Sequence, residues 1–442
     1  MKRLEDYLCE HAQSSPNKTA FQNSVGTLTY NELWTAVCKR ASELKSEASR
    51  VYVLRSVHEF DFIIDYFAAH KAGKVIVPLE KDMPDAQFQR ILELTSQADI
   101  PEDVSDILFT TGTTGKQKGT MISESVIISD AENLIDAQGF SSDLMFIITG
   151  PLNHIGSLSK IWPSIIVGAS IYIMDGLKDL SAFFKVVKDA PCKVATFQVP
   201  ASLRMMLQFG EKQLKDCGAK FDFIETGAAP ISQSDMEKLC ELLPHTRLYN
   251  TYASTETGII ATHNFNGGHC VAGCLGKTMK HSGLTIDDEG FIICEGKTIM
   301  IGYCGDLEET NRVLKDNKIH TKDKGILDEE GRLQLAGREG DIINVGGYKI
   351  NPVEVEDVAK SMPEIDDCIC IPSPHPVIGT ALRLLYVVKD GLSIEKKALA
   401  KHLASKLEGH KVPQLYTQVD KVERTYNGKL NRKAYSQKPE KH

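Results

Sequence analysis

The 442-residue chain lacks any apolar run long enough to cross a bilayer. Its most hydrophobic stretches, residues 60–69 and 162–174, are short and broken by polar residues or glycine. It also lacks an excess of positive charge: 51 basic against 59 acidic side chains leave a net −8. That balance excludes nonspecific nucleic-acid or anionic-membrane binding as the main activity. A secretory leader is not expected, because the opening MKRLEDYLCEHAQSS places Glu and Asp where a leader would be apolar. Zinc spacing is missing among the 11 cysteines; Cys270 and Cys274 are separated by three residues, Cys368 and Cys370 by one. They read as reduced, mostly buried thiols of a cytoplasmic protein. Repeats and low-complexity tracts are absent. What remains is an ordinary globular composition, 42% hydrophobic and 25% charged, at a length that suggests two or three domains.

Thr29 and Glu32 make a capping box for a helix running to Leu44, with Leu33, Val37 and Leu44 on its apolar face. A second helix is expected over residues 60–71, closed by Gly73 and followed by an apolar run at 74–79, a helix–strand step of α/β type. Similar runs recur at 107–111, 145–149, 171–174, 193–197 and 221–226, most of them separated by helix-like segments, so a largely parallel layered sheet is expected. After Thr257 the texture changes to short β-like runs around Asp287–Gly290 and Asp328–Gly331, which predicts antiparallel hairpins. The tail reads as strand, helix (353–361), strand (367–371), strand (382–388), helix (393–407) and a terminal strand. The expected fold class is α/β: a large N-terminal domain of layered mixed sheets with helices over 1–339, and a small mobile α+β C-terminal domain over 340–442.

The densest chemistry lies in Phe109-Thr-Thr-Gly-Thr-Thr-Gly-Lys-Gln-Lys-Gly119, after an apolar strand. Three glycines let the backbone approach an oxyanion. Thr110, Thr111, Thr113 and Thr114 offer hydroxyl donors, and Lys116 and Lys118 supply positive charge. The Walker spacing does not fit, since only two residues separate Gly112 from Gly115.

This stretch resembles the phosphate loop of the ANL superfamily of AMP-forming adenylating enzymes, [YF]-T-[ST]-G-[ST]-T-G-x-P-K-G, with Gln117 in place of Pro. Further segments follow in the family's order. Asn250-Thr-Tyr-Ala-Ser-Thr-Glu256 is similar to Y-G-x-T-E. His320-Thr-Lys-Asp323 stands for T-G-D. The run from Gly337 to Glu356 resembles G-R-x-D-D-x-I-x-x-x-G-x-x-I-x-P-x-E-[IV]-E. Thr425-Tyr-Asn-Gly-Lys-Leu-Asn-Arg432 resembles the closing T-x-x-G-K-[IL]-x-R.

The resemblance implies ATP, Mg²⁺ and CoA as cofactors. It implies Thr110, Thr111, Gly112, Thr113, Thr114, Gly115 and Lys118 on the phosphates, Tyr252 on adenine and Thr255 on the α-phosphate. Glu256 would hold Mg²⁺, Asp323 the ribose hydroxyls, and Arg338 the ribose or phosphate. Gly340 would be the hinge of the C-terminal domain, Gly346 and Gly347 the loop approaching the pantetheine tunnel, and Lys429 the catalytic lysine. Pro151-Leu-Asn-His154-Ile-Gly156 resembles the P-L-F-H-x-x-G stretch of acyl- and aryl-CoA synthetases. His154, Gly227, Ala228 and Ala253 would then line the acyl pocket, and the absence of an Asp there disfavours an amino acid substrate. Only about 28 residues separate the 75–79 strand from the phosphate loop, fewer than in most of the family, which favours the compact o-succinylbenzoate- and aryl-CoA ligase branch. The expected partners are a small carboxylic acid and CoA. A carrier protein's phosphopantetheine arm in place of CoA, and nucleotide binding without turnover, stay open.

Overall fold

The computed structural model describes residues 2–111, 117–341, 343–345, 348–375, 379–424 and 430–436. Gly112, Thr113, Thr114, Gly115, Gly346, Gly347 and Lys429 lie outside the described residues, as does the side chain of Thr111.

The helix Tyr30–Leu44 forms as its sequence dictates: the Thr29 hydroxyl accepts the Glu32 amide, the Glu32 carboxylate accepts the Thr29 amide, and Leu33, Val37, Ala41 and Leu44 are buried. The helix Phe60–Lys71 is followed by Gly73 at φ +75°, a left-handed conformation that closes it without a Cβ penalty and feeds the wholly buried strand Val75–Leu79. This strand belongs to a five-stranded sheet whose neighbours run Val51–Arg55, Val75–Leu79, Val104–Thr111, Gln117–Ser123 and Gly302–Tyr303. A single helix, Asp85–Gln97, makes the whole crossover from Val75–Leu79 to its parallel neighbour Val104–Thr111. Val104–Thr111 then pairs antiparallel with Gln117–Ser123, Thr110 opposite Lys118 and Phe109 opposite Gly119. Gly119 has a packing reason: a Cβ there would meet Ile107 and Phe109 side-chain carbons at 2.8 Å.

The larger sheet carries the expected parallel run, with Ser170–Ile173, Leu144–Ile148, Lys193–Phe197, Phe221–Gly227 and Arg247–Ser254 as successive parallel neighbours. It turns antiparallel at Gly258–Asn264, the change of texture expected after Thr257. The Asp287–Gly290 turn links Ser282–Ile286 to Phe291–Gly296, and the Asp328–Gly331 turn links Lys318–Leu327 to Leu333–Arg338, each pair an antiparallel hairpin.

Beyond Gly340 the chain builds a separate apolar core from Ile343, Ile350, Val355, Cys368, Cys370, Leu382, Leu384, Leu399 and Leu403. The helix there is Pro352–Lys360, one residue earlier than expected, because Asn351 caps it and Pro352 suits the first turn. The strand expected over 367–371 extends over Ile365–His375 in its pairing with Gly379–Val388, the helix expected over 393–407 is shorter, Lys396–Lys406, and a further short helix, Lys433–Ser436, is not among the expected elements. Among the described residues no helix is long and apolar enough to cross a membrane.

Candidate active site

Strands Arg247–Ser254, Lys318–Leu327 and Leu333–Arg338, with the turn after Ser254, supply the described part of the site. Tyr252 sits near the end of Arg247–Ser254, and its hydroxyl donates to Asp323 Oδ2 at 2.9 Å. Asp323 and Arg338 face each other across the hairpin register, with Arg338 Nε 3.4 Å from Asp323 Oδ1. The Thr321 hydroxyl accepts the Asp323 amide at 3.1 Å and fixes the backbone there. Tyr252 is therefore held by its phenol, 8% exposed, while burial and Asp323 push its pKa up and keep it a neutral donor. A clamped flat ring beside a carboxylate and a guanidinium is suited to a nucleoside: a π face for the base and an acceptor for vicinal hydroxyls.

Glu256 lies in the turn after Ser254. Reciprocal bonds between Ser254 and Thr257 close that turn, each hydroxyl accepting the other residue's amide at 3.1 Å. One Glu256 carboxylate oxygen accepts the Tyr303 hydroxyl at 2.9 Å. Among the described residues no hydrogen-bond donor takes its other oxygen, which leaves a hard ligand of the kind Mg²⁺ selects. Thr255, next to it, is buried. Tyr303 also joins this carboxylate to the Gln117–Ser123 strand, because the ammonium of Lys118 stands 4.9 Å from its ring centroid. Lys118 itself is in a salt bridge with Glu309. The bidentate hydrogen bonds from Arg312, then Lys118, hold Glu309 down to about 2.

Sequence reading missed Tyr303 and Glu309. Neither belongs to a motif, and both reach the site because Gly302–Tyr303 pairs with Gln117–Ser123 some 180 positions away, Tyr303 opposite Thr120. Asp130 was missed as well. It is buried, its Oδ1 accepts the Ile259 amide at 2.8 Å behind the Glu256 turn, and burial raises its pKa to about 8.

Of the residues expected to line the acyl pocket, Gly227 lies against Phe197, as does Gly156 of the same motif as His154. A Cβ on Gly156 would lie 3.0 Å from one edge of its ring, and a Cβ on Gly227 3.6 Å from the other edge and 2.9 Å from the Thr251 carbonyl oxygen. His154 precedes the short helix Ile155–Leu158 as its N-cap residue. Ala228 follows Gly227 at φ +67°, a left-handed conformation a non-glycine residue takes at a cost. Ala253 packs half-buried against the main core. Beneath Phe197 the buried Lys160 ammonium stands 5.3 Å from the ring centroid and 2.7 Å from Glu225, so its charge is compensated inside the protein. Gly340 adopts φ +88°, and a Cβ there would meet nothing within 4 Å.

The chain matches the family described as AMP-binding enzyme over residues 8–100 and 94–304, and AMP-binding enzyme C-terminal domain over 354–429. The first two matches meet at 94–100, at the end of the single-helix crossover. An indoleacetate–CoA ligase of Aromatoleum aromaticum is 29% identical over 501 aligned positions, covering 97% of this chain and 96% of that protein. The fold superposes on ATP-bound MatB from Rhodopseudomonas palustris with TM-score 0.86 at 21% identity, covering 99% of both chains. It also superposes on o-succinylbenzoate CoA synthetase (MenE) from Bacillus subtilis in complex with its acyl-adenylate intermediate, with TM-score 0.87 at 20% identity, covering 98% of both.

Proposed function

This chain belongs to the AMP-binding enzymes, in the acyl- and aryl-CoA synthetase branch of the ANL superfamily, and from that premise we propose which residues do what and which acid they accept. It is an AMP-forming ligase that uses ATP and Mg²⁺ to activate a carboxylic acid and joins it to CoA. A carboxylate oxygen attacks the α-phosphorus, the bond to the β-phosphate oxygen breaks, and pyrophosphate leaves an acyl-adenylate. The CoA thiol, losing its proton, then attacks the acyl carbon; the bond to the phosphate oxygen breaks and AMP departs.

In the proposed assignment Tyr252 stacks on adenine while Asp323 and Arg338 hold the ribose. Thr110, Thr111, Gly112, Thr113, Thr114, Gly115 and Lys118 surround the phosphates, and Thr255 donates to the α-phosphate. Glu256 would hold Mg²⁺, which neutralises polyphosphate charge when bound. Lys429 is assigned the transition-state contact to the reacting carboxylate. The observation that supports the nucleotide assignment is the Tyr252–Asp323–Arg338 cluster, in which residues of three separate motifs meet through one carboxylate. Gly346 and Gly347 are assigned the approach to the CoA arm. Residues 340–442 are proposed to move as a unit about Gly340, which sits at φ +88° with open space where a Cβ would stand.

For the acid we propose an aryl or arylalkanoic carboxylate without an α-ammonium. Phe197 between Gly156 and Gly227 gives a flat apolar wall, and Lys160 is compensated by Glu225 rather than offered to an acid. The aromatic acid in the name of the Aromatoleum relative agrees with this. All 11 cysteines are free of disulfides, which supports a reducing, cytoplasmic location.

Pyrophosphate release from Mg-ATP across a panel of aryl, arylalkanoic, fatty and amino acids, with and without CoA, tests this reading. CoA-dependent turnover with aryl acids is expected, reduced at least tenfold in kcat/KM by Asp323→Asn. Turnover confined to fatty or amino acids overturns the acid assignment. Release that responds to a phosphopantetheinylated carrier and not to CoA transfers the acceptor role to a protein.

A further inference from the structure

Away from the adenylating site, a buried cluster of side chains has no part in the chemistry above. Glu5 of the helix Leu4–Ser14, His70 near the end of Phe60–Lys71 and Glu124 at the start of Glu124–Gln138 converge, each offering one ligand atom within 4.8 Å of the other two. Each is held by one polar atom. Glu5 Oε1 accepts Arg3 Nη2 at 3.0 Å, Glu124 Oε1 accepts the Leu4 amide at 3.1 Å, and His70 Nε2 lies 2.6 Å from Asp106 Oδ1. The other atom of each, Glu5 Oε2, Glu124 Oε2 and His70 Nδ1, is buried without a hydrogen-bond partner. His70 is 1% exposed and Glu5 4%. Arg3 Nε comes only to 3.7 Å of Glu124 Oε2.

Three converging side chains, each with one atom that lacks a hydrogen-bond partner, can take an occupant between them. Against the carboxylates of Glu5, Glu124 and Asp106 stand Arg3 and, when protonated, His70, an excess of one negative charge that becomes two when the imidazole is neutral, as a metal ligand must be. We propose that Glu5, His70 and Glu124 form a site for a divalent transition-metal ion of the Zn²⁺ class, with water as a fourth ligand. The donor set of one imidazole and two carboxylates suits Zn²⁺ better than Mg²⁺ or Ca²⁺, which select all-oxygen shells. Asp106 on Nε2 is the carboxylate that usually backs a metal-bound histidine and fixes its tautomer. Asp106 is itself fixed by the Tyr66 hydroxyl at 2.9 Å, which accepts Trp162 Nε1 at 3.0 Å. Closing from separations of at most 4.8 Å to the roughly 3.4 Å between ligands of a tetrahedral zinc ion needs side-chain shifts of no more than about an ångström. The ion would bracket the N-terminal helix to Asp106 on Val104–Thr111 and to Glu124 directly after Gln117–Ser123, the two strands that flank residues 112–116. A proton on His70 Nδ1 is the competing occupant.

The test uses the full chain, stripped with chelator and assayed without nucleotide. Elemental analysis after Zn²⁺ loading and dialysis is expected to give one equivalent retained through this site. Co²⁺ should give visible d–d bands of nitrogen and oxygen ligation without the near-ultraviolet thiolate band that a cysteine site would add. Glu5→Gln and Glu124→Gln, made separately, should each weaken that binding at least tenfold and abolish the metal-induced rise in Tm. Failure of the wild-type chain to retain metal, or equal affinity in wild type and both variants, overturns the proposal. Should neither variant fold, the Co²⁺ spectrum decides: thiolate bands alone, or no d–d bands, overturn it.

Discussion

Phe197→Ala removes the ring that stands between Gly156 and Gly227, and the geometry sets the size of the effect. If the vacated space admits about three further methylenes of an acid, each is worth about 0.8 kcal/mol of apolar burial, or about 2.4 kcal/mol together. At 1.36 kcal/mol per decade, the kcat/KM ratio of a longer to a shorter acid should rise about 60-fold over wild type. The reverse perturbation is Gly156→Ala. Its Cβ would sit 3.0 Å and 3.2 Å from two ring carbons of Phe197, inside ordinary contact distance. Overpacking of that kind costs about 1–3 kcal/mol of folding stability, so Tm should fall, and kcat/KM with an aryl acid should fall with the displaced ring. The double variant should recover most of the loss, because the clash partner is gone. Thioester formation with a homologous series of arylalkanoic acids is the assay, with a thermal melt of each variant alongside. An unchanged length profile in Phe197→Ala, with Gly156→Ala equally costly whether or not the ring is present, would refute the placement of the acyl pocket.

Further consequences concern charges around the site. Glu309→Gln frees Lys118 for phosphate, so KM for ATP should fall about fivefold, the worth of an ion pair of about 1 kcal/mol; a rise in KM contradicts the competition. Because Glu309 is held down to about 2, that pair's stabilisation is present above its ordinary value of 4.5 and fades only as pH falls toward 2, so the KM effect should be constant from pH 6 to 8. Asp130 carries the opposite sign: its folded pKa of about 8 exceeds the ordinary 3.8, so the native state binds a proton the unfolded state has released, and stability falls as pH rises between those values. Asp130→Asn should therefore gain in Tm relative to wild type as pH goes from 5 to 8.5, and a pH-independent difference contradicts this. Arg432 pairs in bidentate fashion with Glu356, 1% exposed, at 2.6 and 2.8 Å. Arg432→Met strands that carboxylate, and denaturant unfolding should show about 3–5 kcal/mol lost; less than about 1 kcal/mol contradicts the reading.

What the chain discloses before folding is whatever is local. Buried parallel strands announce themselves as apolar runs, and the helix after Thr29 is specified by its own cap and stripe. The Tyr252–Asp323–Arg338 cluster is legible because each of its residues sits in a contiguous motif. Tyr303 and Glu309 are not legible, since their contact with Glu256 and Lys118 depends on a two-residue strand joining a sheet edge far along the chain. The Glu5–His70–Glu124 cluster is hidden for the same reason: three lone residues on three helices, meeting only when the helices pack. Ala228 shows a third kind of opacity, because a left-handed alanine has no compositional sign where a glycine would have advertised the turn.

Passage through an acyl-adenylate is the central claim, and the fate of a carboxylate oxygen tests it most directly. The acid is labelled in both carboxylate oxygens with ¹⁸O, turned over with Mg-ATP and CoA, and the products are weighed by mass spectrometry. One ¹⁸O in each AMP, one left in the thioester and none in pyrophosphate is the predicted result. Unlabelled AMP, or label in inorganic phosphate beside ADP, would contradict it.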